Sequence, residues 1–233
     1  MKKVNYILGI IIVFILSGCS DSSDVSDNNA TYRVTVNTIW DNDRFPLGFP
    51  SGNDHFSPLV GVTHDASYNL FIHGNLASEG VVQVAETGGK SIITNEITNK
   101  INDGSAKLQI DADGLSTGVG TITTTFNVDR SHPYVSFISM IAPSPDWFIG
   151  INKESLLDDD LNWKNFITKN LSLYDAGSEE GGGFSVDNLE TNPQEAISLL
   201  SESNTDFENG VKRGTSEGDS DRYVGTITIK KIN

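Results

Sequence analysis

The chain has 233 residues, 31 acidic against 16 basic, a formal charge of −15 and a single cysteine. That balance disfavours nucleic acid and anionic membrane surfaces as partners, and is compatible with cations or with simple solubility. One thiol cannot make an intrachain disulfide, so stability has to come from burial.

The first 18 residues read as an export signal. Lys2 and Lys3 form a positive start, and YILGIIIVFIL (6–16) is an apolar run too short to cross a bilayer comfortably as a helix. Ser17 and Gly18 lead directly into Cys19. LSGC resembles a bacterial lipobox, in which the thiol is lipidated and becomes the new N-terminus; the plainer alternative is a signal peptide with an incidental cysteine. At ~0.8 kcal/mol per buried methylene, two or more acyl chains anchor stably. Without Lys2 and Lys3, 14 basic residues face 31 acidic ones, a formal −17. The expected division is a leader over 1–18, a lipidated cysteine and acidic tether over 19–30, and one folded domain over 31–233. The tether SDSSDVSDNNA (20–30) has almost nothing to bury.

From Thr31 the apolar period is mostly two. Tyr32, Val34 and Val36 alternate with polar neighbours, as do Leu108 and Ile110, Ile122, Phe126 and Val128, and Ile227 and Ile229. This pattern, rich in β-branched residues, predicts strands with one wet face. YVSFISMI (134–141) is nearly continuous in apolar residues and predicts a central strand covered on both sides. Short helices are expected at 77–86 and at 91–101, where Ile93, Ile97 and Ile101 recur every four residues. With no internal repeat, these elements predict an all-β fold, a single antiparallel β-sandwich with long loops and one or two short helices.

Chemical motifs are sparse. GTSEG (214–218) satisfies G-x-S-x-G around Ser216, but it lies in a charged loop before a strand, whereas a nucleophile elbow needs a following helix. The four histidines show no zinc-ligand spacing, and His64 beside Asp65 reads as a hydrogen-bonded turn pair. DADG (111–114) lacks the rest of an EF-hand loop, and Asp158, Asp159 and Asp160 read as a solvated patch. EEGGGF lacks the lysine of a phosphate loop. In DAGSEEG (175–181), Asp175, Glu179 and Glu180 either form an ordinary acidic turn or surround a calcium ion, which takes six to eight oxygens in loose geometry. SPDW (144–147) is expected to expose Asp146 beside a packed Trp147.

Four stretches occur in this order: FSPLVGVTHDASYNLF (56–71), ASEGVVQVAETG (77–88), HPYVSFISMIAPSPDWFIGI (132–151) and LYDAGSEEGGGF (173–184). Together they resemble the spondin N-terminal domain family over roughly residues 31 to 231. The resemblance implies a sandwich related in shape to C2 domains, with one Ca2+ site at one end. Its ligands would be Asp146 of SPDW, Asp175 of DAG, Glu179 and a backbone carbonyl near Ser172. Glu179 departs from the family's DAG-T-D pattern. Phe148 stands where animal members often carry cysteine, so the disulfides of those relatives are absent. The implied function is that of a non-enzymatic, calcium-binding module for adhesion or ligand binding, held at the bacterial envelope through Cys19. A surface glycan or a protein is the expected partner, and nucleic acid is not. A structural lipoprotein whose calcium only stabilises it, and a sandwich-fold hydrolase, are the alternatives.

Overall fold

The structure, a computed structural model, describes residues 27–43, 49, 52–181, 183–186, 188–200 and 223–233. The leader, Cys19, tether residues 20–26 and the GTSEG loop lie outside the described residues. In chain order the first strands are β1 (Asn29–Ile39), β2 (His55–Phe56) and β3 (Leu59–His64). Helices α1 (Glu79–Thr87) and α2 (Ser91–Asn102) come next, and then β4 (Ala106–Ala112), β5 (Val119–Asp129), β6 (Tyr134–Ala142) and β7 (Trp147–Ser155). The last strands are β8 (Phe166–Leu171), β9 (Leu173–Asp175), β10 (Ser198–Leu200) and β11 (Gly225–Lys231).

Two antiparallel sheets form the sandwich. One has the order β5-β1-β11-β8; the other runs β10-β9-β7-β6-β3-β4, with β2 beside the end of β6. The alternation in β1 turns Tyr32, Val34 and Val36 inward, where they meet Ile122, Phe126, Ile227 and Ile229 from the same sheet and Phe137 and Ile141 from the other. A second core lies on the far face of the larger sheet. There Val81 and Val84 of α1 and Ile93 and Ile97 of α2 pack on Val60, Val62, Ile138 and Phe148. Strand β6 therefore sits between two cores, which is why its sequence shows no polar face.

Both helices form near their expected places. Ser78 is the N-cap of α1, its hydroxyl accepting the Val81 N–H at 3.3 Å, so the helix starts two residues later than the apolar pattern suggests. Gly88 ends it in the left-handed conformation, φ 67°, with its N–H on the Val84 carbonyl. One boundary moves outward. Strand β1 starts at Asn29, paired with Asp129, and Ala30 is buried, so two residues expected in the tether belong to the sheet. Among the described residues no helix is long and apolar enough to cross a membrane.

Candidate functional site

Strand β6 ends at Ala142, a cis peptide joins it to Pro143, and β7 begins at Trp147. Ser144 stiffens the connection: its hydroxyl donates to the Ile141 carbonyl and accepts the Trp147 N–H at 3.3 Å. Trp147 is fully buried, edge-on to Trp40 (centroids 6.5 Å) and to Phe184 (6.2 Å).

Asp146 is not exposed. Its relative exposure is 0%, against the expectation of an outward-facing acid. The reason is that the DAG loop folds over it and supplies donors. Asp146 Oδ2 accepts the Ser178 N–H at 2.7 Å, the Ser178 hydroxyl at 3.1 Å and the Glu179 N–H at 3.1 Å. Its backbone carbonyl takes the Ala176 N–H at 3.1 Å. Asp146 Oδ1, equally buried, has no hydrogen-bond partner among the described residues. Burial pushes the carboxyl above the usual carboxylate range, and the Ser178 and Glu179 N–H groups pull it partly back. A half-satisfied buried carboxylate is costly, and in native folds such a group ordinarily has a further partner.

The other predicted acids lie on the loop that covers it. Asp175 ends β9 directly opposite Trp147 and is 5% exposed. Its Oδ1 accepts the Gly177 N–H at 2.8 Å. Gly177 has φ 72°, and a Cβ there would stand 2.4 Å from the Glu195 carbonyl, so the glycine of DAG is required by the turn. Glu179 comes two residues later, bridged to Glu190, with its Oε2 shut off from solvent. Ser172, near which a backbone carbonyl was expected to contribute, immediately precedes β9 and stands three residues before Asp175. Among the described residues no group of three or more His, Cys, Asp or Glu side chains is assembled to hold a metal. The loop that carries Asp175 and Glu179 does cover one buried carboxylate, Asp146, whose Oδ1 has no hydrogen-bond partner among the described residues. Carboxylate oxygens of this kind suit a hard, oxygen-preferring cation whose shell can include backbone carbonyls and water.

Three of the remaining motifs resolve structurally. The Asp158 carboxylate closes its own turn, accepting the Asp160 and Asn162 N–H groups at 3.0 and 2.8 Å. Asp111 of DADG ion-pairs with Lys90 at 2.7 Å. His64 bonds the backbone carbonyl of Asp65, not its carboxylate, and reaches Ser136 on the neighbouring strand. Sequence reasoning misses Ser178, although its place inside DAGSEEG offers the signal. It also misses the aromatic cluster of Trp40, Phe49, Trp147 and Phe184, which joins residues far apart in the chain.

Comparison with known proteins agrees with the motif reading. The Spondin_N family matches residues 30–211. Chicken Spondin-1 is 34% identical over 175 residues, covering 73% of this chain and 22% of that protein. Human Spondin-1 is 33% identical over the same number of residues, again 22% of its length. Human Spondin-2 is 31% identical over 180 residues, 75% of this chain and 53% of the relative. The chain thus spans between about a fifth and a half of the relatives it matches.

Proposed function

The chain belongs to the Spondin_N family, and on that premise we propose that it is a non-enzymatic, calcium-binding module for adhesion or ligand binding, exported and held at the cell envelope through lipidated Cys19. The observation that carries the calcium reading is Asp146 Oδ1, buried and without a hydrogen-bond partner among the described residues, beneath the loop bearing Asp175 and Glu179. Asp146, Asp175 and Glu179 would hold the ion. Calcium would supply the missing charge and tie the SPDW turn to the DAG loop, while Ser178 and the Glu179 N–H keep the second Asp146 oxygen in place. Support for the anchor is the LSGC sequence, with an acidic tether directly after it.

Calorimetry on the full-length protein in non-ionic detergent tests the ion. Extracellular calcium modules bind at ~10⁻⁴ to 10⁻³ M, so titration must extend that far. Calcium should raise the melting temperature over that in chelator, and Asp146→Ala should abolish both heat and shift. Absence of either in the wild type would sink the metal site. A second reading is favoured by the complete burial of Asp146: calcium that only stabilises the loop pair. Pull-down of envelope components with and without calcium separates the two, because a purely stabilising ion leaves capture unchanged while the fold stays intact. Labelling with radioactive palmitate, lost in Cys19→Ser, tests the anchor.

A further inference from the structure

We propose that the groove between α1 and the loop residues Ser178, Glu190, Thr191 and Gln194 is a docking site for lysine- or arginine-bearing segments of a protein partner. This rests on the ligand-binding reading above and names the chemistry of the ligand. The groove encloses about 560 Å³, within the usual range for ligand sites. Ala77, Val82 and Ile92 give it an apolar wall, while Glu79, Glu86 and Glu190 stand around it. No lysine, arginine or histidine among the described residues lines it.

Several of the neutral polar groups there are already engaged. Gln83 Oε1 accepts the Ser91 hydroxyl at 3.1 Å and the Ile92 N–H at 2.9 Å. Gln194 donates to the Ala77 carbonyl at 3.4 Å, and both donors of Ser178 serve Asp146. The three carboxylates differ from several of the protein's structured acids. Asp103, Asp111, Asp129 and Glu154 each have a lysine partner, whereas Glu79, Glu86 and Glu190 form no ion pair among the described residues. Three like charges around one concavity raise its affinity for a cation. The apolar wall then selects the kind of cation, because it can take the methylene stem of a long basic side chain while the head group meets the rim. A bare metal ion would leave that wall and most of the volume unused. Ser178 is both a wall of the groove and the clamp on Asp146, so the groove adjoins the proposed calcium site.

The test uses the full-length protein in non-ionic detergent and fluorescence anisotropy of a labelled peptide of alternating leucine and lysine. A strongly acidic protein attracts any polycation, so two variants of equal charge loss are compared. Glu86→Gln with Glu190→Gln should weaken the peptide at least tenfold. Asp159→Asn with Asp160→Asn, exposed acids remote from the groove, should change affinity less than twofold. The same peptide with acetylated lysines should not bind. Equal loss in both variants, or no binding to the wild type, would overturn the proposal. Calcium titration of the same wild-type preparation keeps the readings apart: calcium binding without peptide binding overturns the groove alone, and the reverse overturns only the metal site.

Discussion

A histidine with no solvent exposure needs both ring nitrogens matched, and His64 has them matched. Nδ1 lies 2.7 Å from the Asp65 carbonyl, which can only accept, so Nδ1 carries the proton. Nε2 faces the Ser136 hydroxyl at 2.8 Å, and the same oxygen accepts the Lys153 N–H at 2.9 Å. This network sits where the β6–β7 register shifts, between Val135 and Phe137. Burial lowers the His64 pKa below its ordinary 6.5. The folded state therefore binds fewer protons than the unfolded one just below that pH, and the contribution is complete above 6.5 and lost as pH falls toward the folded value. Melting curves from pH 7.5 to 5 should show declining stability, and His64→Gln should flatten that slope while costing about 1–3 kcal/mol at pH 7.5. An unchanged slope in the variant would assign the acid sensitivity elsewhere. Sequence shows only the adjacency of His64 and Asp65. It could not show that Ser67 already holds the Asp65 carboxylate, at 2.7 Å from its N–H and 2.6 Å from its hydroxyl, nor that Ser136 waits 72 residues away. Asp146 reads as an exposed acid for the same reason, since its donors arrive from 32 and 33 residues downstream.

At the scale of elements, local pattern carries furthest where one face is wet. The alternation of β1, β5 and β11 and the four-residue spacing in α2 are visible because their outer residues are polar. How the helices are tied together is not visible. Glu96 of α2 reaches the start of α1, with Oε1 on the Gly80 N–H at 2.8 Å and Oε2 on the Ser78 hydroxyl at 2.7 Å. A carboxylate there satisfies orphan donors and favours the positive end of the helix. Glu96→Ala should cost about 1.5–3 kcal/mol, more than the ~1 kcal/mol of Ser78→Ala, since the charged acceptor serves both groups. Chemical denaturation of both single variants and the double checks this, and the double should cost less than their sum. Strict additivity would show that the two groups do not act together. Phe148 stacks on Tyr174 (5.2 Å, 17°) and meets Phe71 edge-on, so aromatic packing joins β7 to β9 where no disulfide exists.

At the scale of the whole molecule, β1 runs eleven residues, as long as any described strand. At its start the Asp27 carbonyl accepts the Trp163 indole N–H at 2.8 Å and Arg130 Nε at 3.3 Å, while Arg130 stacks on Trp163 at 5.4 Å. This clamp fixes the chain at Asp27, the first described residue. At its other end Trp40 packs edge-on to Trp147 and Phe184, beside Asp146. Strand β6 repeats the geometry, leaving the first pole at Tyr134 and arriving at the second at Ala142. Eleven residues of β1 at about 3.3 Å each put the poles roughly 36 Å apart. Under the proposed anchoring through Cys19, the described chain enters the fold at the Asp27 pole, opposite the Asp146 end and the groove beside it. Spin labels at Asn28→Cys and Ser185→Cys in a Cys19→Ser background should give a double-resonance distance of roughly 35–45 Å. A population near ~25 Å, well short of the strand's length, would place the site on the anchor's own side and remove the orientation argument. Adding calcium should narrow the distribution without shifting its mean, because the ion would tie Asp146 to the loop above it while β1 sets the length. A shift of the mean would instead mean that calcium moves the poles relative to one another.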